Sequence, residues 1–204
     1  MINGIKRVGI YGGMFAPIHN GHISAARAFI QQMKLDKLLI VPAKNTPRKV
    51  IDFHDDPRHR FNMCKLAFEQ NENIEVSTIE LEREGISYTV DTLRALQAPN
   101  VKLFFLCGTD MMLCFDRWRE VDEIFKLCCP IYIRRETNSL LDNEIIAKNR
   151  EYFQKFGVAF RKILVDPIEL SSSEIRNVIR AGGDISEMVP EAVMKYIYEH
   201  KLYE

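Results

Sequence analysis

Short apolar segments alternate along this chain with longer segments typical of helices, and this alternation constrains the fold more than any other feature. Two of the apolar segments, residues 7–11 and 101–107, run directly into glycines. Strands of this kind, each followed by a helix, indicate a parallel sheet covered by helices on both faces. We therefore predict an α/β fold with a doubly wound, mostly parallel sheet and a helical C-terminal segment.

The predicted elements follow one another through all 204 residues, a length that suits a single domain over residues 1–204. Ligands of such sheets bind beyond the carboxyl ends of the strands, where the strand order reverses. The loops after the strands are therefore the expected sites of chemistry. Strands are predicted at residues 7–11, 37–41, 75–79, 101–107, 131–134 and 162–165, and helices at 21–33, 60–70, 89–98, 172–181 and 190–200.

Composition limits the class of protein and its compartment. The chain has 28 basic and 28 acidic side chains, whereas general nucleic-acid binders usually carry a basic excess. No apolar run approaches the ~20 residues of a membrane-spanning helix, and no secretory signal is seen. Five cysteines without a CxxC pair are typical of buried, reduced thiols. We expect a cytoplasmic protein with small-molecule partners and no nucleic-acid or membrane partner.

The loop at residues 12–22, GGMFAPIHNGH, follows the first strand and opens the first helix. Gly12 and Gly13 let a phosphate approach the backbone closely. His19 and His22 lie three residues apart, so both can face one ligand if this turn is helical. The N–H groups of the following helix point at the same spot. The loop therefore predicts a polyphosphate site; a metal site at the two histidines is the alternative, and it requires a third ligand.

This loop, which we call the first loop, resembles the signature G-x-F-x-P-x-H-x-G-H of the nucleotidyltransferase superfamily. Met14 replaces the usual Thr or Ser of that signature, and Ala16 replaces the usual Asp, so the hydrogen-bonding groups near the phosphates differ. The resemblance implies a Rossmann-like fold that binds ATP, with His22 nearest the α-phosphate. The fixed positions of the signature are met by Gly13, Phe15, Pro17, His19, Gly21 and His22.

A second segment, LSSSEIR at residues 170–176, follows the last predicted strand. Ser171 or Ser172 can cap the following helix, and a well-capped helix is the structural alternative. The segment resembles the second superfamily signature, I-S-S-T-x-I-R, which implies contact with the β- and γ-phosphates of ATP. The ATP site implied by both signatures and the strand-end segment at 108–110 comprises Gly12, Gly13, Met14, Phe15, His19, His22, Gly108, Asp110, Ser171, Ser172 and Arg176.

The middle of the chain narrows the resemblance. The segments SYTVDTL (residues 87–93) and FLCGTD (residues 105–110), with the single tryptophan Trp118, are similar to the nicotinate or nicotinamide mononucleotide adenylyltransferases. The similarity runs from residue 7 to about residue 203. It implies that Tyr88 and Thr89 lie against the carboxyl or amide of the pyridine.

The same resemblance gives roles to further residues of the middle of the chain. Trp118 is implied to stack on the pyridine ring, which suits an electron-poor ring, and the segment from Gly108 to Asp110 to contact ribose. A basic loop with Arg48 and Lys49 is implied near the phosphates, and Arg135 matches a further family arginine. A core aromatic at Trp118 and a solvated loop at 48–49 are the alternatives.

The implied reaction moves AMP from ATP to nicotinate mononucleotide and gives deamido-NAD and pyrophosphate. The attacking phosphate is already anionic at neutral pH, so catalysis is positioning plus charge stabilisation. We expect His19, His22 and Arg176 to be catalytic. Mg²⁺ is expected as the cofactor, bound to phosphate oxygens and mostly to water.

Four other functions remain open from the sequence. The preferred acceptor can be nicotinamide mononucleotide. The chain can also be a nucleotidyltransferase acting on phosphopantetheine or on a sugar or glycerol phosphate. A fragment of a class I aminoacyl-tRNA synthetase has a similar His-x-Gly-His. A non-catalytic nucleotide sensor would keep the fold without the chemistry.

Overall fold

A single parallel sheet organises the computed structural model, which describes residues 5–46, 56–134, 141–165 and 170–204. Within these ranges the strand order is β3-β2-β1-β4-β5-β6. The chain builds outward from β1 to β3, then crosses back and builds outward from β4 to β6, so the order reverses between β1 and β4. The predicted doubly wound α/β fold is confirmed. The strands are β1 (Lys6–Gly13), β2 (Lys37–Pro42), β3 (Ile74–Val76), β4 (Val101–Gly108), β5 (Cys128–Ile133) and β6 (Arg161–Ile163).

Helices cover both faces of the sheet. Helices α1, α2, α7 and α8 contribute to one hydrophobic cluster, and α3, α4, α5 and α6 contribute to the other. The first and last parts of the chain therefore share one face, and its middle forms the opposite face. The helices are α1 (Asn20–Met33), α2 (Pro57–Phe68), α3 (Thr89–Leu96), α4 (Thr109–Leu113), α5 (Val121–Leu127), α6 (Asp142–Phe156), α7 (Ser172–Arg180) and α8 (Glu191–Glu199).

The central strand β4 explains why its sequence is apolar throughout. Phe104 and Leu106 pack into the cluster with α1 and α2, whereas Leu103 and Phe105 pack into the opposite cluster. Successive side chains of a strand point to opposite faces, and both faces of this sheet are buried by helices. A strand in this position has no solvent-facing side that could carry polar residues.

Helix α1 packs very closely on β1. A Cβ atom at Gly9 would lie 2.4 Å from Leu35 and 2.9 Å from the ring of Phe29. Only glycine fits between these side chains, because real Cβ contacts are never that short. This close packing holds the second half of α1 and the turn after it against the middle of β1.

Several elements differ from the sequence prediction. Strand β5 begins at Cys128, three residues earlier than predicted, and the helices between residues 109 and 127 and at α6 were not predicted. Helix α6 buries Ile145 and Tyr152, which lie seven residues apart, so an apolar stripe was its signal. None of the helices that the structure describes is long and apolar enough to cross a bilayer.

Candidate active site

The candidate site lies at the reversal point of the sheet. Strands β1 and β4 are parallel neighbours, and they end in Gly13 and Gly108. The first loop and α4 therefore begin at the same edge of the sheet. This is the location at which doubly wound sheets bind ligands, and both segments had been predicted as site residues.

His19 and His22 come together as predicted. His19 precedes the first residue of α1 and is 1% exposed. The two ring centroids are 3.7 Å apart, and the backbone N–H of His19 donates to Nδ1 of His22 at 3.3 Å. The pair therefore lies at the N-terminus of a 14-residue helix, where the helix dipole favours anions. No three His, Cys, Asp or Glu side chains in the described ranges form a group that could hold a metal ion.

Phe15 shapes the first loop. Its φ angle is +49°, in the left-handed region that non-glycine residues rarely adopt. Its buried ring lies edge-on to Tyr11, with centroids 5.4 Å apart, and edge-on to His22, with centroids 5.1 Å apart. A Cβ atom at Gly13 would lie 3.1 Å from this ring. The ring of Phe15 therefore contacts the imidazole of His22, and Gly13 leaves room for the ring of Phe15.

The second signature segment contacts the first loop directly. Ser172 Oγ donates to the carbonyl of Pro17 at 2.9 Å, and Nη1 of Arg176 donates to the carbonyl of Ala16 at 2.8 Å. Ser171 caps α7 by accepting the N–H of Glu174. The two segments thus meet as predicted, and the contact of Ser171, Ser172 and Arg176 with ATP remains a prediction.

A second arginine contacts the first loop, and no sequence pattern had predicted this contact. Nη1 of Arg60, in α2, donates to the carbonyl of Met14 at 3.0 Å and to the carbonyl of Ala43 at 2.6 Å. The carbonyls held by Arg60 and Arg176 belong to Met14 and Ala16, the two positions that depart from the signature. The loop conformation therefore rests on the backbone at these positions, where the side chain can vary.

Asp110 lies over the end of β4. Its carboxylate is exposed, and Oδ1 is 2.8 Å from the place where a Cβ atom of Gly108 would be. Glycine at 108 is therefore needed for this carboxylate position. Asp110 is in the first turn of α4 at the reversal point, where an acidic side chain can accept hydrogen bonds from ribose hydroxyls.

Tyr88, Thr89 and Trp118 lie on the same side of the sheet. Tyr88 precedes α3, which begins at Thr89, and both Tyr88 and Trp118 pack against the cluster that contains α3 to α6. The guanidinium carbon of Arg119 lies 4.6 Å from the ring centroid of Tyr88, so the segment after Trp118 contacts the segment before α3. The indole of Trp118 stacks on the ring of Phe115, with centroids 4.4 Å apart. The side chain predicted to stack on the pyridine therefore packs against a residue of the hydrophobic core.

A buried acid supports the segment of Tyr88 and Thr89, and it was not predicted either. Glu80 is 7% exposed, and its Oε1 accepts a hydrogen bond from the hydroxyl of Thr92 in α3 at 2.7 Å. Nη1 of Arg83 donates to the same hydroxyl at 3.1 Å. Burial raises the pKa of Glu80, against the smaller opposing effects of hydrogen bonds from Thr92 and Ser87 and of the Arg83 charge.

The remaining predicted contacts to the mononucleotide are Arg48, Lys49 and Arg135, which lie outside the described residues. Thr46 is the last described residue before Arg48 and Lys49. The main chain just before it is fixed, because the N–H of Ser87 donates to the carbonyl of Asn45 at 2.8 Å. The end of β2 is therefore tied to the segment that precedes Tyr88.

Comparison with known proteins identifies the family of this chain. The family model described as cytidylyltransferase-like matches residues 10–178. A Thermoanaerobacter protein named "Probable nicotinate-nucleotide adenylyltransferase" is 36% identical over 97% of this chain and 94% of its own length. A Streptococcus pyogenes protein of the same name is 36% identical over 98% of this chain and 89% of its own length.

Solved structures share the fold. The Plasmodium falciparum nicotinic acid mononucleotide adenylyltransferase complexed with NaAD has a TM-score of 0.77 and 21% identity, over 97% of each chain. A second structure of that protein, complexed with APC, has a TM-score of 0.74 over the same coverage. At this level of identity the likeness supports the doubly wound architecture.

Proposed function

This chain belongs to the cytidylyltransferase-like family, and within it to the nicotinate-nucleotide adenylyltransferases, and from that premise we propose that it transfers AMP from ATP to nicotinate mononucleotide. The products are deamido-NAD and pyrophosphate, in a step of NAD biosynthesis. The substrates are small molecules, as in the Plasmodium falciparum relative, whose structures are described as complexes with NaAD and APC.

One observation carries this proposal: two segments about 150 residues apart in sequence meet around a single anion site. Ser172 and Arg176 donate to the carbonyls of Pro17 and Ala16. The first loop and α7 thereby bring two helix N-termini, two imidazoles and a guanidinium group to one edge of the sheet. Such a collection of donors suits the three phosphates of ATP better than any singly charged ligand.

In the proposed reaction, a phosphate oxygen of the mononucleotide attacks the α-phosphorus of ATP, and pyrophosphate leaves. The attacking oxygen is already ionised at neutral pH, so no side chain has to remove a proton. His22 stabilises charge at the α-phosphate, and His19 and Arg176 bind the phosphates that leave. Phe15 contacts the ring of His22, so the imidazole is preorganised before ATP binds.

Mg²⁺ enters the proposed reaction as the complex with ATP. The first loop presents imidazole and backbone N–H groups and α7 presents the guanidinium group of Arg176, all of which suit phosphate oxygens, whereas Mg²⁺ prefers oxygen ligands and retains several waters. We therefore expect phosphate oxygens and water to hold the ion. Bound there, Mg²⁺ would neutralise charge on the nucleotide.

The acceptor side of the site is proposed to bind the pyridine ring. Trp118 and Tyr88 are partly buried aromatic residues of one cluster, and Arg119 stacks on Tyr88. Aromatic faces suit an electron-poor ring. Tyr88 and Thr89 are proposed to lie against the carboxylate of nicotinate, and Arg48, Lys49 and Arg135 are proposed to contact the phosphates or the acceptor.

Pyrophosphate release tests this function. The purified protein is incubated with ATP, Mg²⁺ and either nicotinate or nicotinamide mononucleotide, and kcat/KM is measured for each acceptor. We expect much faster turnover with the nicotinate compound. Faster turnover with nicotinamide mononucleotide would contradict the proposed acceptor. Binding of ATP without turnover of either compound would leave a nucleotide sensor or a different phosphate acceptor.

We further propose that the enzyme works in the cytoplasm. All five cysteines lie among the described residues and none is in a disulfide. Burial raises the pKa of Cys64, Cys107 and Cys128, so these thiols stay protonated and unreactive. Buried, reduced thiols are typical of a reducing compartment.

A further inference from the structure

Arg60 is a buried cation that the proposed reaction does not use. It is 0% exposed and is among the largest fully buried side chains of the described residues. Its Nη1 donates to two backbone carbonyls, Met14 in the first loop and Ala43 after β2. Arginine is rarely buried without strong partners, and a buried charge is costly unless it is hydrogen-bonded. Such a residue therefore marks a place where the backbone needs to be held.

The contacts of Arg60 close a ring of hydrogen bonds beneath the first loop. The N–H of Ala43 donates to the carbonyl of Gly13 at 2.9 Å, and Arg60 joins the carbonyls of Ala43 and Met14. The ends of β1 and β2 and the first turn of α2 are thus linked through one guanidinium group. Both bonds come from its Nη1 nitrogen, and a lysine, whose ammonium group is a flexible point charge, could replace only part of this link.

Arg60 and Arg176 hold the peptide groups on either side of Phe15. Arg60 binds the carbonyl of Met14, and Arg176 binds the carbonyl of Ala16. Phe15 has a φ angle of +49°, a conformation that costs about 1–2 kcal/mol for a residue with a side chain. Strained residues persist where the surroundings over-determine them. Two arginines, one from α2 and one from α7, therefore fix the residue whose ring contacts His22.

The bond to Met14 also orients a donor. In a trans peptide the C=O and N–H groups point in opposite directions. Because the carbonyl of Met14 points toward buried Arg60, the N–H of Phe15 points the opposite way, away from Arg60. The bond to Ala43 orients the N–H of Lys44 in the same manner. Backbone N–H groups aimed in this way are the usual ligands of phosphate at strand ends.

We propose that Arg60 is a positioning residue for adenylyl transfer, which fixes the first loop so that Phe15, His22 and the N–H of Phe15 meet the phosphates of ATP. This inference rests on the proposed function. Arg60 acts through the loop and does not touch the substrate. Loss of its guanidinium group displaces catalytic groups and lowers kcat more than it weakens binding of the mononucleotide.

The test compares Arg60→Met and Arg60→Lys with two controls in steady-state kinetics, with thermal unfolding recorded for each protein. We expect Arg60→Met to lower kcat about 100-fold, the size expected when a catalytic group shifts by about 1 Å. The KM for the mononucleotide should stay within about threefold, since only positioning is lost. Arg60→Lys keeps the charge and one donor group, so its kcat should be about tenfold higher than that of Arg60→Met.

The controls separate positioning from stability. Arg58→Met removes an exposed arginine of the same helix, whose side chain is 84% exposed, and should leave kcat unchanged. Tyr196→Phe loosens α2 from α8, because the hydroxyl of Tyr196 lies 2.9 Å from Nδ1 of His59 and accepts a hydrogen bond from Asn62 at 3.0 Å. It should lower the unfolding temperature and leave kcat near that of the unchanged protein.

The proposal is overturned if folded Arg60→Met retains kcat within about threefold, or if Tyr196→Phe loses kcat in proportion to its lost stability. If Arg60→Met does not fold, Arg60→Lys decides by the same criteria. If the unchanged protein turns over neither mononucleotide, the proposed function has failed. The role of Arg60 is then tested by calorimetric binding of a non-hydrolysable ATP analogue, which should weaken about tenfold in Arg60→Met but not in Arg58→Met.

Discussion

The first loop and the segment of Tyr88 are both supported by buried charged side chains, but the charges are opposite. Arg60 and Arg176 hold backbone carbonyls of the first loop, whereas Glu80 accepts a hydrogen bond from the hydroxyl of Thr92 beneath the other segment. The arginines support the loop and also add positive charge next to the proposed phosphate site. A buried carboxylate would instead repel an anionic substrate.

On the acceptor side, burial of Glu80 acts against this repulsion. It raises the pKa of Glu80, which favours the neutral acid in the folded protein. The neutral form keeps an acceptor oxygen for Thr92 without adding negative charge near a nucleotide. The supports of the two segments therefore differ in their electrostatics. The following experiments test this difference, from the largest expected effect to the least.

The largest effect is expected at His22. Replacement by alanine removes the group proposed to stabilise charge at the α-phosphate, and we expect kcat to fall about 10³-fold, as for loss of one preorganised donor. Steady-state kinetics with ATP and nicotinate mononucleotide measure it. The control is His200→Ala, which removes an exposed histidine after α8. Near-normal turnover of a folded His22→Ala protein would remove His22 from the mechanism.

Arg176→Met should have the next largest effect. It removes both the proposed contact to pyrophosphate and the observed bond to Ala16, so kcat should fall about 100-fold and the unfolding temperature should also fall. Arg180→Met, one turn further along α7 and exposed, is the matched control. Equal losses in the two variants would mean that the charge of α7, and not the contact at Arg176, matters.

Trp118→Ala should weaken the binding of nicotinate mononucleotide and not the binding of ATP. Stacking of a heteroaromatic ring on an aromatic side chain is worth about 1–3 kcal/mol, so we expect the KM for nicotinate mononucleotide to rise at least about fivefold. The KM for ATP should change little. Trp118→Phe keeps an aromatic face and should keep most of the affinity. Equal KM values for the mononucleotide in the unchanged and alanine proteins would show that Trp118 is a core residue.

The smallest effect is expected at Glu80, and it depends on pH. Because burial raises the pKa of Glu80 above its ordinary value of 4.5, the folded state binds the proton more tightly than the unfolded state. The stability from this group is therefore fully present below pH 4.5 and is lost as pH rises through the raised pKa.

Glu80→Gln resembles the neutral acid at every pH. The unfolding temperature of this variant, relative to that of the unchanged protein, should rise between pH 5 and pH 8. Glu82→Gln, at an exposed residue that accepts a hydrogen bond from Thr78, is the control. A Glu80→Gln protein less stable at pH 8 than the unchanged one would indicate a carboxylate that the fold stabilises.

Much of the fold and about half of the candidate active site could be predicted from the sequence. Apolar strands such as 101–107 and the glycines after them are local patterns, and they predicted the sheet and its ligand-binding edge. Residues 12–22 predicted a histidine pair at a helix start, and the structure has it at α1. Short helices such as α4 escaped prediction, because five residues are too few for a helical period to appear.

Local sequence patterns identify the side chains that are available for chemistry and the strand ends that carry them. The contacts that hold these groups arise only when distant parts of the chain meet: Arg60 with Met14 and Ala43, Arg176 with Ala16, and Glu80 with Thr92. The arginine contacts to the first loop join residues 46 and 160 positions apart, and both are made to a backbone carbonyl. Every residue has such a carbonyl, so the sequence contains no pattern that marks it. A lone arginine in a helix resembles a solvent-exposed residue until the fold buries it.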